Sequence, residues 1–284
     1  MQLYGILIAL ALGIAAILCT QEEKRLGLPK DTGLDIVLYA LPPAIIAARL
    51  YYVLFTWDSF KNNPLDILKF WEGGLAIYGG VIGGALGVWL LSKRRNIPML
   101  QLGDIVAPAL LLGQAIGRWG NYFNGEAFGT AVHNPAWQFF PFAVKIGENW
   151  QLATFFYESM WNFFGFLFLY FNRKKMPAQG KYGHVLYWYF IWYGLGRLMI
   201  EGLRTDSLMW GSVRVSQFLS LLIAALALVK IVFDLKIKPV FLLLPMFALL
   251  APFVLAGWYG IGTSFILLGI ASLVVYRLYP KQAI

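Results

Sequence analysis

Long uncharged runs separated by short charged ones constrain this chain more than any other feature. Residues 105–117, I-V-A-P-A-L-L-L-G-Q-A-I-G, contain no ionisable group, and similar runs recur along the sequence. A membrane-spanning helix needs about 20 mostly apolar residues. Such stretches lie at 3–20, 35–55, 75–92, 101–118, 151–171, 184–200 and 213–233, with two further ones at 240–257 and 262–279. The composition agrees, being 60% hydrophobic, 17% aromatic and only 13% charged. The expectation is an all-α, polytopic helix bundle forming a single transmembrane domain over 1–284. Within it, 1–233 would be a core of seven transmembrane helices, and 234–284 an additional C-terminal pair.

Orientation follows from the basic residues, which favour the cytoplasmic side. With the N-terminus outside and the C-terminus inside, 15 of the 23 lysines and arginines fall in inner loops. The net charge of +9 then reads as anchoring to anionic membrane lipid. No nucleic-acid footprint is expected, because the basic residues are scattered over several short loops. Cys19 is the only cysteine, which leaves no disulfide framework or thiolate site; it reads as apolar packing. His133 and His184 fall on opposite sides of the membrane, which rules out a His-based zinc cluster.

Against this background the run 117–129, G-R-W-G-N-Y-F-N-G-E-A-F-G, stands out. It reads as a charged, amide-rich turn where the fourth span leaves the membrane, and ionisable groups at that depth mark a functional site. On the assigned topology, groups from five spans reach the same outer depth. They are Arg49, Tyr78, the stretch Arg118 to Glu126 with Asn121 and Asn124, the pair Tyr157 and Glu158, and Arg197, Glu201 and Arg204. Their clustering suits a polar, anionic ligand. Plainer readings stand beside this one. Arg197 and Glu201 have the spacing of an ion pair on one helix face, and Arg49 has the length to snorkel to the headgroups. Gly79, Gly83 and Gly87, with Gly80 and Gly84, form a ridge for close helix packing. Asp31 and Thr32 suit the cap of the second span, and Trp71, Trp119, Trp137 and Trp150 suit interfacial anchors.

Gly117, Arg118, Gly120, Asn121, Asn124, Glu126 and Gly129 match G-R-x-G-N-x-x-N-x-E-x-x-G, the signature of the bacterial prolipoprotein diacylglyceryl transferases. G-R-L-M-I-E-G-L-R-T-D-S-L at 196–208, then R-V-S-Q at 214–217, resembles that family's second block. A-A-R-L-Y-Y and G-G-L-A-I-Y-G-G-V-I-G-G resemble its second- and third-span motifs, so the likeness covers roughly residues 30–230. Three departures are visible: Tyr78 stands where many members carry His, Leu152-Ala153 replaces a frequent H-P, and 239–279 adds spans to the usual seven.

The resemblance implies an enzyme of the bacterial cytoplasmic membrane with its site toward the outer leaflet. It would transfer diacylglycerol from phosphatidylglycerol to the lipobox cysteine of a prolipoprotein signal peptide, releasing glycerol 1-phosphate. Such chemistry needs a phosphate clamp, for which the planar guanidinium fork is suited; Arg118 is the first candidate and Arg197 the second. It also needs a route for the thiol proton, since only the thiolate attacks. Tyr78 and Glu126 are the candidates there, with Tyr78 alternatively a positioning group. Glu201 would hold Arg197 or act chemically itself. Asn121, Asn124, Arg49, Arg204, Tyr157 and Glu158 would bind substrate. The rival reading is a non-catalytic membrane carrier or binder of an anionic solute or lipid; the absence of an inverted repeat and of polar groups at the midplane weighs against it.

Overall fold

The computed structural model describes residues 2–176, 181–204, 209–210, 213–237, 243–254 and 257–279. The described helices are α1 (Gln2–Leu26), α2 (Thr32–Phe55), α3 (Ile77–Arg95), α4 (Met99–Asn124), α5 (Thr154–Asn172), α6 (His184–Ile200), α7 (Val215–Asp234), α8 (Leu243–Val254) and α9 (Gly257–Arg277). Every expected span thus has a helix. Of these, α1, α2, α4 and α7 are long and apolar enough to cross a membrane by length and composition alone. The architecture is helical and polytopic, with two additions the apolar pattern did not contain. One is the antiparallel hairpin β1 (Ala143–Ile146) with β2 (Asn149–Leu152); the other pairs β3 (Met209–Trp210) with β4 (Val213–Arg214). The first corrects the fifth span, which begins at Thr154 and not at 151. Residues 205–208 of the second motif block lie outside the described residues.

The described chain divides into two compact units, residues 14–106 and residues 1–13 with 107–284. In the 14–106 unit, α3 packs directly on the backbone of α2. A Cβ on Gly79, Gly83 or Gly87 would stand 2.3, 2.1 and 2.0 Å from the carbonyl oxygens of Ala47, Pro43 and Tyr39. A Cβ on Gly80 or Gly84 would meet nothing nearer than the Ala48 and Ala44 methyls, at 3.8 Å. The ridge therefore is a helix-packing surface with three indispensable positions. Pro43 lies inside α2 and has no N–H to give the Tyr39 carbonyl four residues back. That freed carbonyl is the one Gly87 approaches.

The start of α2 is capped differently from the sequence expectation. Asp31 takes a left-handed φ of 68° and its side chain makes no cap hydrogen bond. Instead Glu23 of α1 accepts from the Asp31 and Gly33 N–H groups, at 3.1 and 2.7 Å. A carboxylate at a helix N-terminus is favoured by both the free N–H groups and the dipole.

In the other unit, α6, α7 and α9 bury a shared core that includes Ile191, Leu198, Leu221, Leu228, Leu268 and Val275. Helices α5 and α6 are locked by a reciprocal pair of tryptophans. The Trp161 Nε1–H donates to the Trp192 carbonyl and the Trp192 Nε1–H to the Trp161 carbonyl, both at 2.9 Å. Gly165 and Gly196 leave space for the opposing indoles. This lock fixes the side chains one turn away on each helix. At the far ends of the same helices, the Tyr276 hydroxyl donates to Asn172 Oδ1 at 2.7 Å, and the Tyr279 hydroxyl lies 2.7 Å from His184 Nδ1.

Candidate active site

Arg118 and Asn121 are not in a turn: α4 continues through them to Asn124, and only Glu126 of the charged pair lies in the turn that follows. The helix stops where Gly125 takes φ 70°, with the Glu126 N–H donating to the Asn121 carbonyl and the Gly125 N–H to the Tyr122 carbonyl. This is a Schellman ending, and its left-handed residue is naturally glycine. Ala127 follows with φ 61°, a conformation an L-residue with a Cβ seldom takes. It is held there by Thr154, whose Oγ1–H donates to the Ala127 carbonyl at 2.8 Å. Gly129 is then squeezed between Leu152, Thr154 and the Leu203 carbonyl, all within 3.0 Å of where its Cβ would stand. Its N–H donates to the Leu152 carbonyl, and the Thr130 N–H donates to the Leu203 carbonyl. The segment after α4 is thereby stitched to the start of α5 and to the short 3-10 turn Glu201–Leu203 that follows α6.

Trp119 completes the frame. Its Nε1–H donates to Ser159 Oγ at 3.1 Å, and the Ser159 hydroxyl donates to the Ala115 carbonyl at 2.8 Å. With its ring also packed on Phe155, Trp119 is a joint between α4 and α5, not the interfacial anchor expected.

These constraints bring three sequence-predicted arginines of this unit onto one carboxylate. Glu158, with its side chain only 4% exposed, lies 2.5 Å from Arg118 Nη2 through Oε1. Its Oε2 lies 3.5 Å from Arg197 Nη1 and 4.0 Å from Arg204 Nη1. Arg197 also pairs with Glu201, and Arg118 donates to Asn121 Oδ1 at 3.3 Å. Among these residues three guanidiniums face two carboxylates, leaving one positive charge in excess. A buried carboxylate without such partners would be strongly destabilising. The arginines retain partial exposure, 21% for Arg118 and 13–14% for the others, so the cluster opens outward through its cations.

Other predicted residues fall elsewhere. The Tyr157 hydroxyl donates to the Phe142 carbonyl and so fastens the β1–β2 arm. Asn124 and Glu126 are exposed. Arg49 and Tyr78 belong to the 14–106 unit. Tyr78, 45% exposed, occupies the first turn of α3 with its ring 6.3 Å from that of Tyr51. Arg49 is buried and donates to the carbonyls of Asp66, Ile67, Gly73 and Gly74 at 2.6, 2.9, 2.7 and 3.2 Å. It does not snorkel; four of its five N–H donors hold the loop after α2. Open clefts of ≈ 510 and ≈ 260 Å³ flank it, the larger walled by Pro42, Ile46, Leu50, Ile67 and Phe70.

Sequence reading gave Glu158 too small a part, as one binder among several, and missed Tyr193. That residue lies one turn before Arg197, its ring stacked on Tyr189 at 5.9 Å, and it feels the charges of Arg197, Glu158, Arg118 and Glu201. The spacing 193, 197, 201 on one helix face was the available signal.

Residues 1–233 match the family model for prolipoprotein diacylglyceryl transferase. A phosphatidylglycerol–prolipoprotein diacylglyceryl transferase of Listeria welshimeri is 43% identical over 245 residues, covering 83% of this chain and 87% of its own. A Bacillus cereus protein of the same name is 43% identical over 237 residues, 81% of this chain and 86% of its own. One from Streptococcus mutans is 43% identical over 231 residues, 81% and 89% respectively.

Proposed function

Because the chain belongs to the prolipoprotein diacylglyceryl transferase family, we propose that the Arg118–Glu158–Arg197 cluster is where its phosphatidylglycerol substrate is held and cleaved. The protein is a transferase and a multi-pass bacterial membrane protein. It moves the diacylglyceryl group of phosphatidylglycerol onto a prolipoprotein, the first step of lipoprotein maturation.

The observation that carries the site assignment is the sharing of the buried Glu158 carboxylate by three arginines. The shared carboxylate holds the guanidiniums close together, and their converging N–H groups suit a phosphodiester monoanion. Arg118 and Arg197 clamp the phosphate through paired N–H groups, Glu201 keeps Arg197 aimed, and Asn121 steadies Arg118. The lipobox thiolate attacks the glycerol carbon bearing the phosphodiester; the S–C bond forms as the C–O bond breaks. The electron pair stays on the phosphate oxygen, and glycerol 1-phosphate leaves. Glu126, exposed just after α4, takes the thiol proton. Tyr78 positions substrate through its hydroxyl, a role resting on the family motif alone. The apolar cleft beside α2 is of the chemical kind an acyl chain occupies. Arg49 serves by shaping the loop beside that cleft.

The chain is one transmembrane domain, with seven spans in 1–233 and an appended pair in 234–284 that adds no catalytic group. The N-terminus lies outside, the C-terminus in the cytoplasm, and the cluster toward the outer leaflet. No cofactor or nucleic acid takes part. Purified protein incubated with headgroup-labelled phosphatidylglycerol and a lipobox peptide should release labelled glycerol phosphate and yield a diacylglyceryl thioether. A peptide with Ser for the lipobox Cys should yield neither, and release of label from it would remove thiol attack from the scheme.

A further inference from the structure

Arg214, the residue before α7, stands beside the cluster and differs from every other arginine in it. Its Nη2–H donates to the Arg204 carbonyl at 3.4 Å, a long bond to a neutral acceptor. It makes no ion pair with any described residue, and its Nε is sealed from solvent without a hydrogen-bond partner. Two residues on, the Ser216 hydroxyl oxygen is also sealed and unpartnered. The neighbouring Gln217 donates to the Leu198 carbonyl at 2.8 Å, which holds this turn against the end of α6 that bears Arg197. A half-buried guanidinium beside a second one, with no carboxylate and a donor unused, is costly unless an anion completes it.

The reaction assigned above changes the charge of its phosphate. The diester enters with one negative charge, which the guanidiniums of Arg118 and Arg197 meet. When the C–O bond breaks, the electron pair of that bond remains on oxygen and the leaving monoester becomes a dianion. A further cation is needed only then. We propose that Arg214, with Ser216, binds the departing glycerol phosphate and stabilises the charge it gains. This inference rests on the phosphate-clamp reading of Arg118 and extends it. Interactions made in the transition state and not in the ground state raise turnover without tightening substrate binding.

The test measures turnover, KM for phosphatidylglycerol, and inhibition by added glycerol 1-phosphate, with inorganic phosphate as a plain anion control. Losing a charge-assisted hydrogen bond corresponds to roughly 10-fold or more. Arg214→Gln should therefore weaken glycerol phosphate inhibition and lower kcat by about 10-fold each, with KM within about 2-fold. Ser216→Ala should shift the same two quantities in the same direction by about 3-fold. Wild-type inhibition and kcat in Arg214→Gln overturn the proposal, as does a raised KM with kcat unchanged. Should that variant fail to fold, Arg214→Lys keeps the charge and loses the Nε donor, and unaltered inhibition there overturns it equally. The underlying reading fails separately, if Arg118→Lys turns over normally.

Discussion

Two buried arginine sites of this chain, one in each unit, use the same side chain for opposite ends. In the 14–106 unit the Arg49 guanidinium donates to four backbone carbonyls and lies over the Tyr52 and Phe60 rings, and a Cβ on Gly74 would stand 2.5 Å from its Nη1. Neutral acceptors take up its donors, so its charge is spent on holding backbone. In the 107–284 unit Arg118, Arg197 and Arg204 converge on Glu158, so charges and not dipoles set their geometry. A carboxylate shared among three cations holds them together and partly exposed, which is the condition for binding a further anion. Burial alone does not separate the two kinds of arginine; the nature of the acceptors does.

The sharpest way to break that contrast is Arg118→Lys. An ammonium keeps the charge but cannot span two oxygens in a plane. Turnover should fall by about 100-fold or more, while far-UV circular dichroism of the detergent-solubilised protein stays unchanged. Near-normal turnover would place Arg118 with Arg49 as scaffold.

Next in size is the comparison of Arg197→Ala with Glu201→Gln. Arg197 touches both Glu158 and Glu201, whereas Glu201 acts here through Arg197. An amide oxygen still accepts from the guanidinium, so Glu201→Gln should cost at least about 10-fold less in kcat/KM than Arg197→Ala. The reverse ranking would make Glu201 the reacting group.

Tyr78 is subtler. If its hydroxyl only positions substrate, Tyr78→Phe should lower kcat by about 10-fold without changing the pH–rate profile, whereas Glu126→Gln should remove an ionisation from it. Rates measured over pH about 3 to 11 decide, since carboxyls ordinarily ionise near the lower end of that range and an unperturbed phenol near the upper end. Loss of an ionisation in Tyr78→Phe would assign the proton transfer there.

The smallest effect on chemistry should come from Arg49→Gln. Four carbonyls lose charge-assisted donors, so the melting temperature should drop by several degrees. The specific activity of the folded fraction should stay within about 3-fold. A specific activity as low as that of Arg118→Lys, with an unchanged melting temperature, would erase the distinction between the two sites.

What the sequence made legible was the set of helices and, among its site candidates, the cluster's charged members Arg118, Glu158, Arg197, Glu201 and Arg204, because both rest on local signals: apolar run length, and charges too deep to be idle. Partnership was not legible. Arg49 and Arg197 look alike in sequence, and only the fold reveals which acceptors each meets. The extension of α4 through Asn124 was obscured because amides and glycines in a helix's last turns look like a loop; the N-G at 124–125 was the readable stop signal. The hairpin was hidden by its position, where V-K-I-G-E-N-W-Q alternates like strands about a turn but lies beside an apolar run. The Glu23 cap on α2 comes from another helix, and no local pattern announces it.

The tryptophan pair between α5 and α6 has a consequence for how this site assembles. Each indole donates to the other residue's own carbonyl, so the two bonds are symmetric about one crossing point. A slip of one residue along either helix shifts it by about 1.5 Å and rotates it by about 100°. Both bonds then fail together, and each indole meets a side chain where Gly165 or Gly196 had left room. No half-slipped arrangement keeps one bond while losing the other. The crossing therefore works as a proofreading device during folding: an α5–α6 hairpin either closes in the register that sets Arg197 against Glu158, or leaves two indole N–H groups unpaired.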